Sequence, residues 1–137
     1  MKHQYITAAH SLRLVPVSQI QRLAQDGTGC ATVVSFEKPI SAAEIPGTVL
    51  VSSEEDDNNW LTKQITFKRR IRDKWSLTEL EILRSTHLVA IYTDPTGEDR
   101  LAGTINNPLS LTYVEEGGVC NCTLTGTNLT PDLYLTD

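Results

Sequence analysis

The chain has 137 residues, 39 % apolar and 21 % charged side chains, and a formal net charge of −5. This length and composition favour one folded domain and exclude a disordered chain, while the acidic balance disfavours general nucleic-acid binding. No stretch reaches the roughly 20 apolar residues that cross a bilayer, and residues 1–10 lack the apolar part of a secretion signal, so we expect a soluble protein that is not Sec-exported.

The first half of the chain predicts short strands and one helical turn. Seventeen threonines and regularly spaced turn residues favour strands over a helical bundle. Residues 12–17 predict a strand, and Pro16 puts it at an edge or end because proline cannot donate to a ladder. Residues 18–26 predict a turn of helix. Residues 30–36 and 47–53 predict strands separated by a proline-bounded loop.

An acidic loop is predicted at residues 54–59, because four consecutive carboxylates interrupt all periodicity there. Residues 60–70 then form the clearest strand pattern of the chain. Leu61, Ile65 and Phe67 share one parity and are expected to be buried, and Lys63 and Arg69 fall on that same parity.

A helix is predicted over residues 77–85. Ser76 and Glu79 have the spacing of a capping box, in which each side chain satisfies a free backbone donor of the first turn. Leu77, Leu80 and Leu83 recur at helical spacing and predict the buried stripe.

Two hairpins are predicted in the last third. Residues 87–94 and 100–104 flank a turn that contains proline and glycine. Residues 109–114 and 119–126 flank a Glu-Glu-Gly-Gly turn, with apolar residues on one face and Ser, Thr and Asn on the other. The elements together predict a mainly antiparallel β domain over 1–137 with one helix of consequence.

The three cysteines do not suggest a disulfide scaffold or a metal site. Cys120 and Cys122 are too close together to staple a small fold, and no Cys/His pair at ligand spacing accompanies them. We therefore predict buried structural thiols, no metal and no cofactor. Since the sequence also lacks a glycine-rich phosphate loop, a nucleophile elbow and an HExxH motif, we predict that the protein is not an enzyme.

Charge is distributed unevenly along the chain. Residues 1–59 sum to −3, residues 60–85 to +4 and residues 86–137 to −6, which gives the total of −5. The null hypothesis is that the basic stretch is a solvated connection that protects a strand edge. The alternative is that it docks an acidic partner such as the acidic loops of another copy. The candidate partner-binding residues are Lys68, Arg69, Arg70, Arg72 and Lys74.

From Trp60 onward the order of features resembles the C-terminal part of small structural proteins in phages and prophages of the Bacteroidetes. That pattern has a threonine-rich strand, a D-x-x-G hairpin, a G-[ST]-x-x-x-P-L step and a final G-x-x-x-x-P. The matching residues here are Asp94, Gly97, Gly103, Thr104, Pro108, Leu109, Gly126 and Pro131. The resemblance covers about residues 60–137.

The resemblance implies a virion protein of the tail or the head–tail connection, built on a β-sandwich or barrel with one short flanking α-helix. Its partners would be other copies of itself and other virion proteins, in the bacterial cytoplasm during assembly and then in the particle. It implies no active-site residues, no membrane, no specific nucleic acid and no small-molecule substrate. The alternative is a ligand-binding β-domain for a carbohydrate or peptide, although aromatic residues are only 6 % of the chain.

Overall fold

The computed structural model describes residues 4–25, 27, 29–55, 61–128 and 132–135, with every side chain except those of residues 4, 5 and 128. Strands account for 59 % of the described residues. The strands are β1 Gln4–Ala8, β2 Ser11–Pro16, β3 Ile20–Gln25, β4 Cys30–Ser35, β5 Ile40–Ser41, β6 Leu50–Glu55, β7 Leu61–Arg70, β8 Leu88–Thr93, β9 Asp99–Ala102, β10 Ser110–Glu116, β11 Val119–Asn128 and β12 Leu133–Leu135. The helix is α1, Lys74–Arg84, and a 3-10 turn covers Val17–Gln19.

The strands form two sheets. Sheet A has the order β1-β6-β7-β11-β10 and is antiparallel throughout. Sheet B has the order β3-β4-β12-β9-β8-β2-β5, in which β12 runs parallel to β4. The prediction of a mainly β fold with one short helix is confirmed.

The main core combines apolar residues of both sheets with two leucines of the helix. Leu12, Leu14 and Leu88 come from sheet B, and Ile65 and Phe67 come from sheet A. On β11 the buried residues are Cys120, Cys122 and Leu124. The predicted burial of the two thiols is confirmed, and burial raises the pKa of the Cys122 thiol to about 12.

Strand β7 shows the predicted alternation. Ile65 and Phe67 are buried, whereas Leu61 is only partly buried. Trp60, which begins the predicted strand, lies outside the described residues. The side chains of Lys63 and Arg69 follow the same parity inward, so this strand buries two basic residues in an otherwise apolar row.

Sheet B must curve strongly, because β2 and β3 are joined by only the 3-10 turn although four strands lie between them in the sheet order. A flat sheet would separate them by roughly 24 Å, and the link reaches about 14 Å. Curvature lets one face of the sheet enclose a second core. Its buried members are Val15, Ala31, Val89, Ile91 and Leu101.

The helical turn predicted over residues 18–26 is wrong, because the segment instead forms the 3-10 turn and β3. Ile20 and Leu23 pack on the second core, and the pairing of β3 with β4 satisfies the backbone. Tertiary packing overrides the local helical preference here. Pro16 ends β2, as predicted, but this strand lies between β5 and β8 rather than at an edge.

Two loops begin or end at residues other than those predicted from the sequence. The proline-bounded segment before β6 contains the two-residue strand β5, and β6 begins at Leu50 rather than at Gly47. Glu54 and Glu55 extend β6, so the predicted acidic loop begins later than expected. Residues 56–59 of that loop lie outside the described residues.

Both predicted hairpins are present as β8–β9 and β10–β11. In the first turn, Asp94 Oδ1 accepts hydrogen bonds from the backbone N–H of Thr96, at 2.9 Å, and of Glu98, at 3.0 Å. Gly97 follows with a φ of 90°, a conformation that favours glycine. The Thr96 hydroxyl donates to the same Asp94 oxygen at 2.6 Å, and this hydrogen bond, with smaller effects of the two backbone ones, lowers the pKa of the Asp94 carboxyl.

The helix begins three residues earlier than predicted and has a different cap. Asp73 caps α1 by accepting a hydrogen bond from the Ser76 backbone N–H at 3.0 Å. The capping box between Ser76 and Glu79 is therefore wrong, because Glu79 forms an ion pair with Arg69. Leu80 and Leu83 are buried as predicted.

Replacing Asp73 with alanine is expected to lower the free energy of unfolding by about 0.5–2 kcal/mol, since the helix would lose its N-cap acceptor. Ser76→Ala should cost less, because the Ser76 backbone N–H, which every residue except proline retains, makes the cap bond. Urea unfolding of both variants measures the difference. Equal losses for the two variants would contradict this assignment of the cap.

Candidate functional site

Strands β6 and β7 place carboxylates at one end of sheet A and basic side chains at the other. Strand β7 has ten residues, so Leu61 and Arg70 lie about 30 Å apart. Glu55 pairs with Leu61 at one end, which we call the acidic end. The chain continues from Glu55 with Asp56 and Asp57, outside the described residues. Arg70 marks the other end, which we call the basic end.

A groove of about 410 Å³ opens at the basic end, and we call it the arginine groove. The 43–46 segment forms one wall, held to β7 by a hydrogen bond from Ile45 N–H to Lys68 O at 2.8 Å. The end of β7 and the first turn of α1 form the rest. The lining residues are Ala43, Glu44, Ile45, Pro46, Arg69, Arg70, Arg72 and Ser76.

Arg69 differs from the other predicted partner-binding residues because it points into the protein. It is 5 % exposed, and its Nη1 lies 2.8 Å from Glu79 Oε1. The angles of this contact fall outside hydrogen-bond geometry, so the interaction is an ion pair. Arg69 therefore ties β7 to the helix, and its buried side chain does not form part of the exposed basic surface.

The other four predicted residues, Lys68, Arg70, Arg72 and Lys74, are exposed. Arg70 and Arg72 face the arginine groove together. Glu115 and Glu116 also lie at the basic end, but they are the last two residues of β10, which β11 separates from β7. The 43–46 wall lies on the opposite side of β7, where the backbone of Glu44 forms an isolated antiparallel β-bridge with that of Arg69.

A buried polar cluster lies near the acidic end, between the two sheets. Lys63 Nζ lies 2.9 Å from Asp132 Oδ1 and donates to Ser53 Oγ at 2.8 Å. The side chains of Lys63 and Asp132 are only 4 % and 5 % exposed. The contact between them is again an ion pair outside hydrogen-bond geometry. It connects sheet A to the segment that leads into β12.

Tyr92 and Arg100 complete the cluster from sheet B. The Tyr92 hydroxyl donates a short hydrogen bond to Asp132 Oδ2. Burial raises the pKa of Tyr92 far above its usual range, and the Asp132 carboxylate adds to this effect, so the hydroxyl stays protonated. Arg100 Nη2 donates to the Asp132 carbonyl oxygen at 2.7 Å, and its guanidinium lies 4.1 Å from the centre of the Tyr134 ring.

The cluster forms the floor of a second cavity, of about 450 Å³, which we call the interface cleft. Its lining residues are Thr7, Val51, Ser53, Glu55, Leu61, Lys63, Tyr92, Arg100 and Asp132. The sequence analysis missed this site. The available signal was Lys63, a cation on the apolar parity of β7, which indicates a buried partner.

Other site types are not apparent in the described ranges. Among those residues, no three His, Cys, Asp or Glu side chains are arranged as metal ligands. The helix found there is neither long nor apolar enough to span a membrane.

Comparison with known proteins gives no relative. None of the protein-family models matches the sequence, and neither a curated protein nor a solved structure is significantly similar to it.

Proposed function

We propose that the protein is a non-enzymatic structural component of a phage or prophage virion, part of the tail or of the head–tail connection. It acts by self-assembly, in which the acidic end of one copy docks at the arginine groove of the next. The observation that supports this proposal is that β6 ends in Glu54 and Glu55 at one end of sheet A, whereas Arg70 and Arg72 lie at the other end. The resemblance over residues 60–137 supports the virion role.

The charge arrangement favours a head-to-tail contact over a symmetric contact through the basic end alone. In a dimer whose two-fold axis passes through the basic end, Arg70 and Arg72 of the two copies would meet. A head-to-tail contact instead brings these arginines to Glu55 of the neighbour. Repetition of such a contact produces a ring when the rotation closes and a filament when it does not.

The acidic end has contributions from both sheets. Tyr92 and Arg100 line the same cleft as Glu55, so the β8–β9 hairpin lies at this end as well. Its turn carries Glu98, and β9 begins with Asp99. Arg13 forms a 3.0 Å ion pair with Asp99 and so offsets part of the negative charge of this hairpin.

Charged contacts of this kind set orientation more than affinity. Each exposed pair contributes on the order of 1 kcal/mol or less, because water and salt screen it. Complementary patches nevertheless steer encounter and fix the register of the partners. Most of the binding free energy must therefore come from apolar groups that are buried at the same contact.

Reversal of Arg70 and Arg72 to glutamate is expected to weaken self-association of the protein. Sedimentation velocity at high protein concentration should show wild-type oligomers that dissociate as salt rises, since exposed charges are screened over about 8 Å at physiological ionic strength. The variant should be monomeric at salt concentrations where the wild type associates.

The matched control is Arg22→Glu/Lys38→Glu, because these two residues are exposed elsewhere in the chain. Both double variants change the net charge from −5 to −9, since each reversal changes it by −2. The control should associate as the wild type does. Equal association of all three proteins at every salt concentration would contradict the proposal.

The virion role has its own test. Genes for portal, terminase or tape-measure proteins beside this one are expected. A neighbourhood of unrelated metabolic genes would count against a virion role while leaving the self-assembly proposal to the sedimentation experiment.

A further inference from the structure

Trp75 is a large aromatic side chain exposed at the basic end. It is 62 % exposed in the first turn of α1, between Lys74 and Ser76, and Ser76 lines the arginine groove. The helix buries Leu80 and Leu83, so Trp75 is not part of its core face. Tryptophan and arginine are the residues most enriched at the energetic centres of protein interfaces.

The interface cleft lies at the opposite end of the molecule and offers matching chemistry. Its volume of about 450 Å³ is within the usual range for pockets that enclose an organic group. Leu61 and the largely buried Val51 form its apolar side, and its charged lining residues are Glu55, Asp132, Lys63 and Arg100. An indole needs apolar walls for its ring and an acceptor for its N–H.

We propose that Trp75 of one copy inserts into the interface cleft of the next copy. The inference rests on the proposed head-to-tail assembly and identifies the apolar contact that the charges orient. Arg72 and Lys74 flank Trp75 in the sequence, so the same insertion brings cations to Glu55 at the cleft.

The buried polar cluster gives the cleft a fixed floor. Lys63 and Asp132 hold the two sheets together beneath it, and Tyr92 adds a hydrogen bond to the same carboxylate. Side chains held by several buried interactions do not need to be ordered on binding, which removes part of the entropic cost of association. The cleft is therefore formed before a partner arrives.

The first test is self-association of Trp75→Ala, measured by sedimentation across protein concentration. Loss of an aromatic side chain from the centre of an interface should weaken association at least about 10-fold. The matched control is Phe36→Ala, which removes another exposed aromatic, one that is 69 % exposed and follows β4 in sheet B. This control should associate as the wild type does.

A fluorescence measurement shows where Trp75 goes. In the full-length Trp60→Phe variant, Trp75 is the single tryptophan. Its emission should shift to shorter wavelength as the protein associates and return when salt dissociates the oligomer. Glu55→Gln should reduce both association and the shift.

The outcomes separate the two proposals. If Trp75→Ala associates as tightly as the wild type, or if Trp75 emission does not change in the oligomer, the insertion is wrong and the charge-directed assembly still stands. If the wild type does not associate at any concentration, both proposals are wrong.

Discussion

Replacing Lys63 with methionine is expected to lower the free energy of unfolding by about 3–5 kcal/mol. The change removes the cation that lies 2.9 Å from Asp132 and leaves that carboxylate buried without a counter-charge. The Tyr92 hydroxyl still donates to Asp132, but a single neutral donor does not replace an ammonium group. Urea denaturation followed by circular dichroism measures the loss.

Two further variants isolate the ion pair. Lys68→Met removes an exposed lysine from the same strand and should cost about 0.5 kcal/mol or less. Lys63→Met/Asp132→Asn removes both charges but keeps an acceptor for Tyr92, and it should recover most of the stability lost in the single variant. A Lys63→Met protein as stable as Lys68→Met would show that the buried pair does not stabilise the fold.

Leu80→Ala is expected to destabilise the protein by about 2–5 kcal/mol, because the truncation leaves a cavity beneath α1. Leu80 is 0 % exposed and packs in the main core with residues of both sheets. Thermal or urea unfolding gives the magnitude. The loss should appear as a lower midpoint with an unchanged slope, since the surface exposed on unfolding stays nearly the same.

Ile82→Ala is the control for the helix, because Ile82 is 56 % exposed on the same element. Its loss should stay within about 0.5–1 kcal/mol. Alanine is a better helix former than leucine or isoleucine, so lost helix propensity cannot explain a destabilisation. If both variants lost equal stability, burial of the leucine stripe would not account for the effect, and the core assignment of Leu80 would be wrong.

The sequence predicted those elements whose local pattern agrees with their packing. The structure confirms the alternation of β7, the two glycine-containing hairpins and the leucine stripe of α1. In each of these elements the local sequence pattern is enough to predict the structure. The β3 segment was predicted wrongly because its few apolar residues fit a helical turn as well as a strand. Its pairing with β4 and the second core decide between them, and neither is a local property.

Site residues were harder to predict because burial of a charge depends on distant partners. The sequence showed that Arg69 lies on the apolar parity of β7. It did not identify Glu79 as the ion-pair partner, because Glu79 had been assigned as a capping residue. The interface cleft joins Lys63 to Tyr92 and Asp132, which are distant in the sequence and meet only when the two sheets pack. Periodicity shows that Lys63 is buried but does not identify these partners.

The most direct test of the head-to-tail assembly mixes two variants that each retain one intact end. Arg70→Gln/Arg72→Gln removes two positive charges from the arginine groove, and Glu54→Gln/Glu55→Gln removes the two carboxylates that end β6 at the acidic end. We predict that each variant alone sediments as a monomer where the wild type forms oligomers, whereas the mixture forms a 1:1 dimer that grows no further. A mixture that remains monomeric, or variants that each associate as the wild type does, would contradict the head-to-tail contact.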